Sequence, residues 1–463
     1  MIILNQVITM NSFLSKSGKL IIGLASIFGF AAFSLYSPYI LAETGKPVTR
    51  ESIEKARKEK INTGNYIPLS EAFKECPTNN NSEDNSDLNK VVTANTNFSF
   101  QLWQEILKER NNKNLFISPA SATMALQMTY NGARGDTQTA MAKVLGLETI
   151  DLQSLNQTNA DLQSSLNKNN ADLQISSANS LWVSNKLQLA TDFQKNTEKF
   201  YNSPVQTLNF ADANSPKIIN NWVKKATKNK ITKMVDKISP NTRLFILNAV
   251  YFYGKWQVAF EQKETKKLKF NLMGGKNKLH PLMFKDAKFS YYENEDFQAV
   301  RLPYKGDDFS MYIFLPRPNS NLNKFYQNLH SENWQKWLKC TKNVEGLIGL
   351  PRFKLEDEIK LNNPLQKLGM EVAFNPDNAD FSGIGKDKNK LFIKDVLQKT
   401  FVNVNEEGTE ASAVTKVEIA TKSAQITKKI EPFTMIADRP FFFVIKSDRT
   451  NTILFMGSIV DPK

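Results

Sequence analysis

Five apolar, strand-like runs, at 244–253, 309–315, 391–404, 441–446 and 453–460, lie far apart in a chain of 463 residues. They are rich in β-branched and aromatic residues, and long polar-rich stretches separate them. Any sheet they form must therefore draw its strands from distant parts of the chain. Residues 96–110 and 121–131 carry the spacing of amphipathic helices. No break in composition appears between 95 and 463. This pattern predicts one large mixed α+β domain. A degenerate repeat, Asp151-Leu-Gln, Asp161-Leu-Gln and Asp172-Leu-Gln, is too short for a solenoid unit and reads as a helix surface.

The residues before this domain read differently. Lys16 and Lys19 are the only charges in 1–42, and they precede an uncharged, apolar run from Leu20 to Ala42. A positive flank, an apolar stretch and a small residue at the break predict a signal peptide over 1–42, cleaved near Ala42. The run is also long enough to span a bilayer, so a retained membrane anchor over 20–42 is the alternative. Export places the protein in an extracellular or periplasmic space. Residues 43–94 read as a polar tail, with a charge-rich segment at 51–60 and a low-complexity linker at 77–90. Cys76 lies at the edge of that linker and Cys340 deep in the domain. After export they can form a bridge or stay as two free thiols, and spacing alone does not choose.

Composition narrows the chemistry. The only histidines are His280 and His330, and neither sits in a catalytic motif. With two cysteines besides, a His- or Cys-rich metal site is excluded and no cofactor is expected. The formal charge of +14 invites a nucleic-acid reading. The densest basic cluster, Lys217, Lys224, Lys225, Lys228, Lys230, Lys233 and Lys237, lacks interleaved aromatics. It reads as a solvated helix face, with a weak polyanion contact as the alternative and no specific nucleic acid.

One C-terminal segment stands apart. From Thr409 to Ile430 there is no Gly or Pro. Thr409, Ala411, Ala413, Thr415, Val417 and Ile419 alternate with Glu410, Ser412, Lys416 and Glu418, and Val414 breaks the alternation. Period two with one apolar-leaning face describes a half-buried strand. It is either an ordinary edge strand or a segment able to join a sheet. Ala411, Ser412 and Ala413 are small enough to slip between existing strands, and Gly408 supplies a pivot.

Several blocks resemble the serpins. Asn114-Leu-Phe-Ile-Ser-Pro-Ala-Ser121 with Asn131-Gly-Ala-Arg-Gly-Asp-Thr137 is similar to their first block. Asn221-Trp-Val223, Leu247-Asn-Ala-Val-Tyr-Phe252 and Gly254-Lys-Trp256 resemble the central one. Leu350-Pro-Arg-Phe353, Asp380-Phe-Ser-Gly383, Asp438-Arg-Pro-Phe441 and Phe455-Met-Gly457 follow in family order. The resemblance covers about 95–463 and implies a fold of three β-sheets, about nine helices and an exposed reactive loop. It also places Arg134-Gly-Asp136, an integrin-type tripeptide, in a structural turn.

The family mechanism implies a monomeric inhibitor, not an enzyme. A serine protease cuts the loop, forms a covalent complex, and is trapped as the loop enters the large sheet. The hinge implied is Glu406, Glu407, Gly408, Thr409, Glu410, Ala411, Ser412, Ala413, Val414 and Thr415. Counting about fourteen residues past Gly408 puts the reactive bond at Lys422–Ser423, which suits a trypsin-like protease. The stretch 423–439 is longer than is usual in the family, so Lys428 and Lys429 are rivals, and Thr421 is a further one. Ser118 and Asn248 match residues beneath the sheet opening, and Trp256 one at its upper end. Gln398 stands where a His is common, which implies opening without a pH-sensitive group. The functional alternative is a non-inhibitory serpin that binds or carries a ligand.

Overall fold

A computed structural model describes residues 49–61, 66–76, 86–166, 170–203, 205–239, 242–386, 391–409 and 429–463. The candidate signal segment 1–42 and the loop residues 410–428, which include Glu410 to Thr415, Lys422, Ser423 and Lys428, lie outside them.

The five apolar runs become strands Leu244–Lys255, Phe309–Pro316, Ile393–Val404, Phe441–Ser447 and Ile453–Ile459. Four of these five are buried along nearly their whole length, which is why they read as continuous apolar stretches. A six-stranded sheet has the order Phe353–Lys360, Ile393–Val404, Gly408–Thr409, Leu244–Lys255, Leu173–Ser184 and Gln206–Leu208. Its strands come from distant parts of the chain, as the spacing of the runs requires.

A nine-stranded sheet holds Phe433–Ile436, Lys342–Pro351, Asn277–Glu293, Phe297–Pro303, Phe309–Pro316, Phe441–Ser447, Ile453–Ile459 and Leu115–Ile117, with Thr265–Asn271 on Asn277–Glu293. The 17-residue strand Asn277–Glu293 pairs with Thr265–Asn271 near one end and with Phe297–Pro303 at the other. Two of the three sheets implied by the family are thus joined through one strand. Val250, Phe252, Val402 and Val404 of the first sheet share a buried cluster with Phe441, Phe443, Ile445 and Phe455 of the second.

Behind the six-stranded sheet runs helix Pro119–Tyr130, buried on nearly every face, with Ser118 Oγ capping the N–H of Ser121. Its outer face carries helix Ser215–Ala226. There Ile219 and Val223 pack on Trp182, Phe245, Leu247 and Ala249 while Lys217, Lys224 and Lys225 point to solvent. The Arg134-Gly-Asp136 tripeptide is a helix start: the Arg134 guanidinium donates to the carbonyls of Asn131 and Ala133 at 3.0 and 2.7 Å.

The tail differs from its reading as a polar linker. Helix Asp87–Arg110 begins eight residues before the expected boundary of the domain, capped by Ser86, and its Val91, Val92 and Ala94 are buried. Its first turns are polar on their outer face, which hid the apolar stripe. Residues 49–61 and 66–76 also pack on the body, through helix Arg50–Ile61 and strand Tyr66–Ile67, and Cys76 is bonded to Cys340 with 5.0 Å between their Cα atoms.

Candidate functional site: the seam of the six-stranded sheet

Leu244–Lys255 and Ile393–Val404 run parallel and pair directly, from Ile393 opposite Leu244 to Phe401 opposite Tyr251. Their outer neighbours, Leu173–Ser184 and Phe353–Lys360, are both antiparallel to them. Among the described residues the sheet has one other parallel pair, Leu173–Ser184 with the three-residue edge strand Gln206–Leu208, so the central pair is the long parallel ladder, between whose strands one antiparallel to both partners could be interposed. It would replace one parallel ladder with two antiparallel ones, which are slightly more stable per residue.

At one end of the seam this has begun. Gly408–Thr409 lies between the two strands, with Thr409 opposite Val404 on one side and opposite Gly254 on the other, antiparallel to both. Thr409 is fully buried, and its hydroxyl meets Tyr304 Oη at 2.7 Å. A Cβ on Gly408 would lie 2.1 Å from the Gly254 carbonyl oxygen, so only glycine passes this point.

The turn before it is closed by Asn405, whose Oδ1 accepts from the N–H groups of Glu407 and Gly408 at 3.1 and 3.3 Å. Trp256 pins the same turn. Its Nε1 donates to the Asn405 carbonyl at 3.0 Å, its N–H donates to the Glu407 carbonyl at 2.9 Å, and its ring stacks on Tyr304 at 4.7 Å. Glu406 is buried, and its carboxylate accepts from the Arg352 guanidinium and the Thr265 hydroxyl. Burial opposes the ionised form, but these two donors outweigh it and hold Glu406 below the usual carboxylate range.

Midway along the seam sits a buried row of amides. Gln398 faces Asn248 directly, and Asn248 faces Asn179 on the next strand. Gln398 Nε2 donates to Asn248 Oδ1 at 2.6 Å, a side-chain bond across the two strands that would have to separate. Gln398 is in turn held by Ser118: Oε1 accepts from the Ser118 N–H at 2.8 Å and Nε2 donates to its carbonyl at 2.9 Å. Asn248 Nδ2 donates to Ser121 Oγ and Asn179 Oδ1. A cavity of about 570 Å³, lined in part by Ser118, Ser121 and Asn179, opens beside this row.

The structure thus brings together Glu406, Glu407, Gly408, Thr409 and Trp256 at the end of the seam, and Ser118, Asn248 and Gln398 at its middle. The reactive bond and the rest of the hinge lie outside the described residues. Sequence reasoning missed Arg352, Thr265, Tyr304 and Asn179. Arg352 stood in a quoted motif without a role. The other three carry no local signal, because each is defined by a partner more than 60 positions away.

A strand seam with one end already occupied, held by a polar row and followed by a small-residue segment, is the arrangement expected of one family. The family model described as Serpin (serine protease inhibitor) matches residues 93–462. The chain belongs to the serpin family. A serpin-like protein of Thermococcus kodakarensis is 36% identical over 81% of this chain and 86% of its own length. The bovine leukocyte elastase inhibitor is 34% identical over 81% of this chain and all of its own. The crystal structure of the thermophilic serpin tengpin in its native state superposes with a TM-score of 0.74 at 31% identity, over 87% of this chain and 98% of that one. As a serpin, the chain belongs to a family of protease inhibitors rather than of catalysts.

Proposed function

We propose that this serpin is an exported inhibitor of trypsin-like serine proteases that traps its target by inserting its cleaved loop along the seam. The observation that carries this reading is the position of Thr409. It already lies between the two parallel strands, antiparallel to both. If the inserted strand kept this register, Ala411 would lie opposite Val402 and Phe252, Ala413 opposite Thr400 and Val250, and Thr415 opposite Gln398 and Asn248. Each of those six partners points into the core. The small, apolar-leaning positions of the loop therefore fall on the buried face, and Glu410, Ser412, Lys416 and Glu418 fall on the other.

In the proposed reaction the protease serine Oγ attacks the Lys422 carbonyl carbon. The Ser423 nitrogen leaves as the amine, and an ester joins Lys422 to the protease. The new end at Lys422 is then free to move with the inserting strand. Twelve inserted residues span about 40 Å. About a dozen ladder bonds at ~1 kcal/mol each, with burial of the small face, release on the order of 10–20 kcal/mol. A protease is stable by only about 5–15 kcal/mol, so distorting it is feasible. Lysine on the acyl side suits a pocket with a buried carboxylate. Lys429 supports the choice of Lys422, because its backbone pairs with Tyr66 and is less open to a docking protease. The Cys76–Cys340 bridge supports export, since disulfides persist in oxidising compartments.

Incubation with trypsin and denaturing electrophoresis test the reading. A covalent complex that releases a C-terminal peptide beginning at Ser423 is expected. Clean cleavage without a complex would favour the ligand-carrying alternative, and a peptide beginning at Lys429 or Ile430 would move the reactive bond.

A further inference from the structure

Lys285 sits within strand Asn277–Glu293, with Met283 and Ala287 two residues to either side and Ile348 opposite on the neighbouring strand. Residues two apart share one face of a strand, and so do paired residues. Met283 and Ile348 are buried in the apolar cluster that holds Trp256, Phe260 and Phe433, and Ala287 packs against it. The period of the strand thus sets an amine into an otherwise apolar row. Its neighbour Asp286 belongs to the opposite face, where it takes Arg57 at 2.7 Å.

The ammonium finds few partners there. Its Nζ donates to the Val258 carbonyl and stands 5.4 Å from the centre of the Phe260 ring. It makes no ion pair among the described residues. The desolvated cations Lys446 and Arg439 are each given a carboxylate: Asp448 lies 3.3 Å from the first and Asp438 2.9 Å from the second. A charge in apolar surroundings without a counter-charge is costly, and an amine escapes that cost by losing its proton. Burial alone pushes the Lys285 ammonium down to about 8. At pH 7.4 an amine with that value is uncharged about 200 times more often than an ordinary lysine. The side chain is half-buried rather than sealed in, and Val258 beside it is 63% exposed, so a small molecule can reach the nitrogen.

We propose that Lys285 is a nucleophilic amine that captures small apolar aldehydes as a Schiff base. The Nζ lone pair attacks the aldehyde carbon. The resulting carbinolamine sheds its hydroxyl with a proton from the nitrogen as water, and a C=N bond joins the two; no oxidant or reductant takes part. A lysine desolvated in an apolar setting is the arrangement that activates an amine for this chemistry. The side chains of Val258 and Phe260 beside the nitrogen favour a hydrocarbon tail over a polar one. An uncharged imine also removes the unpaired cation. This capture does not depend on loop insertion, and it uses a residue that the trap leaves idle.

The test treats the full-length protein at pH 7.4 with a substoichiometric dose of hexanal and with cyanoborohydride, which fixes the imine. Peptide masses then locate the label. Lys285 is expected to carry about tenfold or more label than any other lysine, a preference that narrows as the pH is raised toward 10, where ordinary lysines lose their protons too. Label spread evenly over the lysines overturns the proposal. A preference that persists unchanged to pH 10 overturns it as well, because access alone would then account for it. Glyceraldehyde labelling Lys285 as strongly as hexanal overturns the apolar class. Lys285→Arg is expected to keep the charge and lose the favoured label. Lys285→Met tests the unpaired charge without any reagent. Its thermal midpoint should lie above wild type at pH 7, and the gap should close as pH rises from about 8 through the ordinary lysine value. A midpoint below wild type at pH 7 would show an ammonium well partnered where it stands and would overturn the proposal. If the Met variant does not fold, the labelling of wild type decides.

Discussion

Thr409 sits where the native and inserted states meet, fully buried under Tyr304 before any cut is made. Arginine there would place an unpaired charge in the core, at a cost of several kcal/mol. The side chain is expected to leave the seam, and insertion then starts later while deacylation by the protease continues. Thr409→Arg should therefore turn most encounters with trypsin into simple cleavage, read as more inhibitor consumed per enzyme blocked; an unchanged ratio would refute the hinge assignment. Thr415 tests the register. If it slides between Asn248 and Gln398, its hydroxyl takes over partners that now bond each other at 2.6 Å. Thr415→Val should leave the intact protein unchanged and lower the stability of the nicked form by about 1–3 kcal/mol. Thr415→Ser should restore it, and calorimetry of both forms makes the comparison. Glu406 gives a pH dependence. Its folded pKa is lowered, so its contribution is full above the ordinary carboxylate value of 4.5 and is lost as pH falls through the folded value. Arg352 is 44% exposed, so screening limits the effect to about 1 kcal/mol. The thermal midpoint of Glu406→Gln should lie below wild type at pH 7 and converge with it as pH falls below 4.5 and through the folded value.

At the scale of elements, the proposed mechanism turns on the parallel seam. A parallel pair flanked by antiparallel pairings on both sides is the weaker pairing. Cutting the loop frees one end of it. Nicked protein should then unfold at a midpoint higher by on the order of 10–30 °C, the shift that 10–20 kcal/mol implies for a domain of this size. An unchanged or lower midpoint in calorimetry would rule out insertion. The seam's outer face is covered by helix Ser215–Ala226, whose Ile219 and Val223 cluster with Leu247, Ala249 and Leu397 of the two seam strands, so an inserting strand would have to displace the helix. The alternation from Thr409 to Ile419 is visible in the sequence, because a period of two is a local pattern. The existence of the seam is not, because parallel pairing between residues some 150 positions apart leaves no local trace.

Across the whole molecule, the sequence by itself determined what each stretch can bury. The runs at 244–253 and 441–446 had to go to the interior, and their β-branched and aromatic residues suit strands of a sheet covered on both faces. The lysines at 217, 224 and 225 had to face solvent. Tertiary structure decided which of these stretches meet. It placed Asn248 opposite Gln398, gave Glu406 its Arg352, fused two sheets through Asn277–Glu293, and closed Cys76 on Cys340 where spacing had left both outcomes open. It also drew Val91, Val92 and Tyr66–Ile67 out of what read as a polar tail and onto the body. The physical reason is the range of the forces involved. Burial and backbone preference act on each residue and its neighbours, so they are written locally. Hydrogen-bond partners and strand order depend on packing between segments hundreds of residues apart, and only the folded chain brings those together.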